Sequence, residues 1–193
     1  GYICGPRYIG VTGAELDRLI ARQRDYFAGR GEAVGWQTRA HDEPADLTAR
    51  LRAAGFVPGE ERTVLVGLSS ELATAPVLPG GAVLRQVTAD DDMHRIAALQ
   101  SAVWGQDWNW LGENLLARIA AAPQGIAVLA AEADGDVVCA GWLAFFQPGA
   151  DSFARLLGGS TLPQWRGRGI YRALVAARAQ RASLIVGKPW GIL

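Results

Sequence analysis

Lysine, methionine, histidine and cysteine are scarce in this 193-residue sequence, which has one lysine, one methionine, two histidines and two cysteines. Cys4 and Cys139 lie far apart, and neither a Cys-x-x-Cys pair nor a histidine cluster accompanies them. A disulfide framework and a zinc site are therefore unsupported, and we expect no metal site. The formal net charge is zero, which gives no electrostatic reason to expect nucleic acid or an anionic membrane as a partner. Neither a signal peptide nor an apolar stretch long enough to span a bilayer is evident, so we expect a cytoplasmic protein.

What the sequence does contain is typical of a folded domain. Half of its residues are hydrophobic and 20% are charged, which is sufficient for a buried core. The positive charge comes almost entirely from arginine, and the bias toward Ala, Gly and Arg suggests a GC-rich bacterial genome. Cys139 lies in an apolar run and is expected to be an inert core thiol.

The most informative segment extends from Gly158 to Arg172. It reads as a strand that ends at Pro163, a tight loop with Gly167 and Gly169, and then an amphipathic helix. The N-terminus of a helix presents unpaired N–H groups and a partial positive charge, and it is a site for phosphate. The two glycines let the backbone approach an anion closely. Side-chain charge at the same point comes from Arg166, Arg168 and Arg172.

Two common phosphate-binding loops do not fit this segment. A dinucleotide-binding Gly-x-Gly-x-x-Gly loop needs a third glycine where Arg172 stands. A Walker A loop needs lysine followed by serine or threonine, and the single lysine, Lys188, precedes Pro189.

The hydrophobic periodicity after residue 80 predicts a strand, two helices, three strands, the loop and a helix. Strands are expected at Ala82–Val87, Ile126–Ala133, Val137–Phe146 and Phe153–Thr161. The first helix is expected to have Thr88 as its N-cap. Asp134-Gly135 is a strong hairpin signal. The last helix is expected to turn Ile170, Leu174, Val175 and Ala177 inward and Arg172, Arg178 and Arg181 outward.

The pattern Gln164-x-x-Gly167-x-Gly169 between a strand and a helix resembles the acetyl-CoA loop of the GCN5-related N-acetyltransferases (GNAT family), and the element order over about residues 80–182 matches as well. The resemblance implies an α/β GNAT (acyl-CoA N-acyltransferase) fold, with a central mixed, mostly antiparallel sheet flanked by helices and a small N-terminal α/β extension. It also implies acetyl-CoA as co-substrate. The residues it places around the cofactor are Ser160, Thr161, Leu162, Gln164, Arg166, Gly167, Arg168, Gly169, Ile170, Tyr171 and Arg172.

Two domains are expected. Residues 1–75 form an N-terminal α/β extension, which is interpreted either as a degenerate half-GNAT unit or as an unrelated addition. Residues 80–193 form the GNAT core, truncated after the cofactor helix, with 183–186 as a candidate for the next strand. In the extension, a strand is expected at Val34–Ala40 and a helix from Pro44, with Gly55 and Phe56 as its C-cap.

The function that the resemblance implies is acetyl transfer to an amine acceptor, a small molecule or a peptide, by direct attack within a ternary complex. A backbone N–H near Thr161 would polarise the thioester carbonyl. Two alternatives stay open, namely a non-catalytic acyl-CoA-binding or regulatory module and a structural domain that dimerises through sheet edges. A homodimer is compatible with each of these interpretations.

No catalytic residue can be assigned from the sequence. The resemblance places Asp107 and Glu113 near the acceptor side, and Glu132 ends a central strand. A solvated surface role is favoured for each of these carboxylates. Three tryptophans, Trp104, Trp108 and Trp110, lie between the first two core helices. They suggest core packing, which is favoured, or alternatively an aromatic acceptor pocket or a lid.

Overall fold

A computed structural model describes residues 1–61, 63–146, 153–186 and 190–192. The chain forms two compact units, Gly1–Arg62 and Thr63–Leu193. Residues 63–75, which the sequence pattern grouped with the extension, thus lie with the larger unit. The origin of the smaller unit as a half-GNAT remains a hypothesis.

The smaller unit has two helices and a short sheet. Its elements are β1 (Tyr2–Ile3), α1 (Gly13–Ala28), β2 (Gly35–Trp36) and α2 (Leu47–Ala53), with β1 parallel to β2. Its core consists of Leu16, Ile20, Leu47 and Leu51.

Two boundaries in the smaller unit differ from the sequence prediction. The strand is two residues long instead of seven, and the second helix begins at Leu47 rather than at Pro44. The expected C-cap is confirmed, because Gly55 has φ +93° and the amide of Phe56 donates to the carbonyl of Leu51. This 6→1 bond is typical of a glycine-terminated helix.

The larger unit contains a six-stranded sheet with helices on both faces. Its helices are α3 (Ser69–Leu72), α4 (Asp90–Trp104), α5 (Trp110–Ala121) and α6 (Ile170–Val186). Its strands are β3 (Val66–Leu68), β4 (Ala82–Val87), β5 (Ile126–Ala133), β6 (Asp136–Phe146), β7 (Phe153–Thr161) and β8 (Trp190–Ile192).

The strand order in this sheet is β3-β8-β7-β6-β5-β4. All neighbouring strands are antiparallel except β7 and β8, which are parallel. β8 pairs with β7 only at residues 153–155. Within the described ranges, no strand pairs with the remaining 156–161 segment on that edge, so the sheet opens there.

Each face of the sheet has its own hydrophobic core. On one face, α4 and α5 pack through residues such as Met93, Ile96 and Leu115. On the other face, α6 packs through Ile170 and Leu174. The loop between β7 and α6 therefore connects a strand of the sheet to a helix that packs on one face of that sheet.

The mixed, mostly antiparallel sheet flanked by helices is confirmed, as is the order of elements from β4 to α6. Two details of the sequence prediction are wrong, namely the N-cap of α4 and the strand at residues 183–186. α4 begins at Asp90 with Ala89, rather than Thr88, at its N-cap position. Residues 183–186 continue α6 instead of forming a strand, because alanines favour helix and Ala182 is buried, while the Ser183 hydroxyl donates to the carbonyl of Ala179 within the helix. The next strand is β8, four residues further along the chain.

No helix within the described ranges combines the length and apolar character needed to cross a membrane.

Candidate active site

The loop between β7 and α6 has a left-handed backbone at both of its glycines. β7 ends at Thr161, a single 3₁₀ turn spans Pro163–Trp165, and α6 begins at Ile170. Gly167 has φ +75° and Gly169 has φ +83°, values that L side chains rarely adopt. A Cβ at Gly167 would meet no atom of the described residues within 4 Å, so backbone conformation, not space, requires glycine there.

The backbone N–H groups that follow the 3₁₀ turn are open. The amides of Trp165 and Arg166 donate to the carbonyls of Leu162 and Pro163. The amide of Ala173 donates to the carbonyl of Gly169. Within the part of the chain that the structure describes, the amides of residues 167–172 have no acceptor. The loop and the first turn of α6 therefore present unpaired donors at the positive end of the helix dipole.

A cavity of about 730 Å³ lies beside this loop. It is lined by Val103, Trp104, Gly159, Ser160, Thr161, Trp165, Arg166, Gly167, Gly169, Ile170, Tyr171, Arg172 and Val175. The walls thus come from the end of α4, the end of β7, the loop and the first turns of α6.

Eight of the eleven residues predicted to surround the cofactor line this cavity, and three do not. Leu162 packs into both core clusters. Gln164 is exposed on the 3₁₀ turn and takes no part in the cavity wall. The Arg168 guanidinium lies over the Trp165 ring, 4.7 Å from its centroid.

Five lining residues lie outside the predicted cofactor set, and the most informative of them is Trp104, one of the three tryptophans for which the sequence offers an acceptor pocket as the alternative. Its side chain is 58% exposed at the cavity, which contradicts the favoured interpretation of core packing. Trp108 does pack against the core, and its ring is tilted on that of Trp110 with centroids 5.4 Å apart. The position of Trp104 at the end of α4 is the sequence feature that indicates a place beside the cavity. Hydrophobic periodicity alone does not distinguish Trp104 from Trp108 and Trp110. The remaining four, which the sequence prediction does not place around the cofactor, are Val103, Gly159, Trp165 and Val175.

β7 carries a bulge where it borders the cavity. Ser160 pairs with Ala140 and Leu157 with Trp142, so that Gly158 and Gly159 both lie opposite a single residue of β6. Gly158 has φ +59°. Bulges bend a strand and leave backbone groups outside the regular ladder.

Each of the three glycines at this bulge makes room for a large side chain. A Cβ on Gly141 of β6 would lie 2.8 Å from Nη1 of Arg178. A Cβ on Gly159 would lie 2.6 Å from Cε2 of Tyr171, and a Cβ on Gly158 would overlap the indole of Trp142.

A buried hydrogen-bond network connects α4 with the bulge. The Gln100 side-chain amide donates to the carbonyl of Gly158, and its Oε1 accepts from the Ser160 hydroxyl at 2.8 Å and from Trp104 Nε1 at 2.9 Å. Gln100 is 2% exposed. The network fixes the hydroxyl that lines the cavity and the edge of the Trp104 ring.

The guanidinium of Arg178 is buried on the face of the sheet that packs against α6, opposite to the face that packs against α4. The prediction that Arg178 faces outward is wrong, because the residue is 1% exposed. Its Nη1 donates to the carbonyls of Leu157 at 3.2 Å and Trp142 at 3.4 Å, and its Nε donates to that of Leu174. Burial lowers the pKa of Arg178, and among the described residues no carboxylate pairs with it and its Nη2 has no partner.

The cavity wall is positively charged. It carries Arg166, whose Nε donates to the Thr161 carbonyl at 3.1 Å, and Arg172. None of the described lining residues is a carboxylate or a histidine. The cavity suits an anionic ligand.

The three candidate carboxylates lie elsewhere. Arg85 and Arg95 hold Glu132 at 2.9 and 2.6 Å and lower its pKa to about 2. Glu113 is 3.5 Å from His94 on an exposed surface. Asp107 accepts from the amide of Asn109. The surface interpretation suits Glu113, whereas Glu132 belongs to a structural ion network.

Cys139 borders the end of β7 without opening to the cavity. The Thr161 hydroxyl donates to its Sγ at 3.1 Å, and the residue is fully buried. Burial raises the pKa of this thiol, so it remains protonated, as expected for an inert core cysteine.

No protein-family model matches the sequence, and no curated protein matches it. Solved structures do match. A GCN5-related N-acetyltransferase from Kribbella flavida superimposes with a TM-score of 0.70 at 17% identity over 93% of this chain. This chain spans 65% of that protein's length.

Two further solved structures match about half of the chain. Glucosamine-6-phosphate N-acetyltransferase from Arabidopsis thaliana has a TM-score of 0.46 and 11% identity over 53% of this chain and 75% of its own. A predicted acetyltransferase from Clostridium acetobutylicum, solved with acetyl-CoA, has a TM-score of 0.46 and 15% identity over 53% of this chain and 74% of its own.

Proposed function

From its GCN5-related N-acetyltransferase fold, we propose that this chain binds acetyl-CoA and transfers the acetyl group to an amine, a small molecule or a peptide. The observation that carries the proposal is the run of open amides at residues 167–172 beside a cavity with a positive wall. A fold by itself does not determine function, and this site is what points to a phosphate-bearing ligand.

The described residues fit the cofactor. The open amides of the loop and the first turn of α6 would hold the pyrophosphate, with Arg172 and Arg166 adding charge. The unpaired edge of β7 at residues 156–161 would accept the extended pantetheine arm by backbone hydrogen bonding. When bound, the cofactor supplies an acetyl thioester for direct attack by the amine.

Within this proposal, a backbone amide at the bulged end of β7 activates the thioester carbonyl toward attack by the amine. Gly158 and Gly159 lie outside the regular ladder with β6, so a bulge amide is available to polarise the thioester carbonyl. The cavity-lining residues that the structure describes include no carboxylate or histidine, so water entering the cavity takes the proton from the acceptor amine and supplies one to the CoA thiolate that leaves as the C–S bond breaks. Turnover should then rise with pH along the titration of the acceptor amine itself.

Isothermal titration with CoA and acetyl-CoA tests the first half of the proposal. Arg172 lines the cavity and makes no side-chain bond to the described residues, so R172A should weaken CoA binding about tenfold, the loss of one charged phosphate contact. R168A is the matched control, because Arg168 stacks on Trp165 outside the cavity wall and its loss should change affinity less than twofold. No binding by the wild-type protein at high micromolar CoA would contradict the proposal.

Release of free CoA thiol across a panel of amines tests the second half. Thiol release that requires an added amine, and that exceeds the rate of the protein without amine, identifies a transferase. CoA binding without turnover on any amine identifies the alternative, a non-catalytic acyl-CoA-binding or regulatory module.

A further inference from the structure

Two consecutive peptide units in the β7 bulge are held by side chains from opposite faces of the sheet. Arg178 of α6 donates to the carbonyl of Leu157, and Gln100 of α4 donates to the carbonyl of Gly158. In a trans peptide the N–H points away from the carbonyl oxygen. The amide of Gly158 is therefore turned away from Arg178, and the amide of Gly159, a cavity-lining residue, is turned away from Gln100.

We propose that Arg178 and Gln100 are positioning residues, which hold the bulge peptides in the orientation that turnover needs. The proposal rests on the proposed acetyl transfer. Neither residue lines the cavity, so both act through other residues rather than on the ligand. Besides the bulge carbonyls, Gln100 contacts Ser160 and Trp104, and the Arg178 guanidinium lies over the Tyr171 ring, 5.9 Å from its centroid.

The surroundings of Arg178 argue against a role in stability. A buried charge is costly unless it is paired, and the three carbonyls that Arg178 contacts do not neutralise its charge. Its Nη2 lacks any partner among the described residues. An apolar side chain of similar length would fill this space at a lower cost, so an arginine at this position points to a role in the bulge.

Gln100 reinforces the same element from the other side. Its amide nitrogen holds the bulge carbonyl, while its oxygen holds Ser160 and Trp104, two residues that line the cavity. A peptide whose carbonyl accepts a strong hydrogen bond becomes a better donor at its N–H, because hydrogen bonds in a chain polarise one another. The two contacts thus orient and polarise successive bulge amides.

The test compares Arg178→Met with wild type on the transferase reaction. We expect kcat to fall at least tenfold, the CoA dissociation constant to change less than threefold, and the unfolding midpoint to stay the same or rise. Arg181→Met is the matched control, since Arg181 lies on the same helix and no described bond links its side chain to β6 or β7. Arg178→Lys, which keeps the charge, should recover part of the rate.

Two results would overturn the role of Arg178. One is a kcat within twofold of wild type in the methionine variant. The other is a loss of activity that follows a lower unfolding midpoint, which a purely structural role would give.

Gln100→Leu tests the other contact. It should lower kcat at least tenfold with CoA affinity kept, and Gln180→Leu is its control, because that side-chain amide also donates to a backbone carbonyl, that of Thr74, outside the cavity wall. Equal effects of the two leucine variants on kcat would contradict the role of Gln100.

Amide NMR chemical shifts of the free protein separate this proposal from the proposed function. The amide signals of Gly158 and Gly159 should move in Arg178→Met and Gln100→Leu respectively, because each amide shares its peptide unit with the carbonyl that loses its donor, while the amides of Gly135 and its hairpin stay unchanged. Absence of CoA binding by wild type would remove the proposed function alone. Unchanged signals at the bulge would remove the positioning roles, whatever the protein binds.

Discussion

Gly158 lies directly against the indole ring of Trp142, and a Cβ at residue 158 would overlap that ring. Trp142 is 8% exposed and belongs to the core cluster under α4 and α5. Gly158 also has φ +59°. The bulge therefore depends on a glycine for two independent reasons, the space beside the strand and the left-handed backbone.

Gly158→Ala should destabilise the larger unit by about 3 kcal/mol, because overpacking and backbone strain add. Gly80→Ala is the control, since Gly80 has no left-handed backbone and no atom of the described ranges lies within 4 Å of its Cβ position. Urea unfolding measures both variants. Equal stability of the two would show that the ring of Trp142 moves aside freely.

Gly169→Ala tests the loop backbone. The left-handed conformation costs an alanine roughly 1 to 2 kcal/mol, so the loop should change shape and CoA affinity should fall about tenfold. Gly135→Ala is a control matched in backbone angle, because Gly135 has φ +86° in the β5–β6 hairpin, away from the cavity, and Gly169 has φ +83°. Calorimetric titration should show normal CoA affinity in the control despite a similar loss of stability. A similar loss of affinity in both variants would contradict a local role of Gly169.

Glu132 makes stability depend on pH. Its folded-state pKa is lowered from 4.5 to about 2 by Arg85 and Arg95, so the unfolded state binds more protons at acidic pH. The stabilisation is complete above pH 4.5 and is lost as the pH falls toward 2.

Glu132→Gln should lower the free energy of unfolding at pH 7 by roughly 1 to 2 kcal/mol, a value reduced for solvent screening. Urea unfolding from pH 7 to pH 3.5 should show the difference from wild type shrinking below pH 4.5. A difference that stays constant with pH would exclude the ion network as its cause. Glu113→Gln is the control, because its carboxylate is exposed beside His94.

The two cysteines should differ in reactivity. Cys4 is exposed, whereas Cys139 is buried with a raised pKa. An aromatic disulfide reagent should modify one thiol per native chain and two after denaturation. Cys4→Ser should leave no reactive thiol in the native protein, which also makes it the appropriate background for thiol-release assays. Rapid modification of the serine variant would show that the core around Cys139 opens.

The fold from β4 to α6 could be predicted because its signals are local. The Asp134–Gly135 turn joins β5 to β6, with φ 54° and +86° at its two residues. The loop glycines at 167 and 169 mark the start of α6 in the same local way. Short-range backbone chemistry of this kind can be read from the sequence directly.

The candidate site could be predicted only in part. The sequence pattern predicts an ordinary strand at Gly158 and Gly159, because a bulge depends on the register with β6 rather than on the strand's own residues. Gln164, although part of the motif that identifies the loop, lies outside the cavity wall. Its contribution to cofactor binding remains a prediction.

Arg178 shows most clearly what periodicity misses. The amphipathic pattern of α6 assigns every arginine to the outer face, since arginine is rarely buried. The space for the guanidinium comes from Gly141, 37 positions earlier in the chain, and its hydrogen-bond acceptors come from β6 and β7. A tertiary contact of this range leaves no trace in a helical pattern.

The close approach of the Arg178 guanidinium to Gly141 should couple substitutions at these two positions during evolution. Alanine at 141 brings a methyl group against the guanidinium and also within 3.2 Å of the Leu157 carbonyl. Lineages that gain a side chain at position 141 should therefore carry a shorter side chain at position 178. The double substitution should be tolerated where alanine at 141 alone is not. These two positions are expected to change together in any set of descendants that keeps the bulged strand.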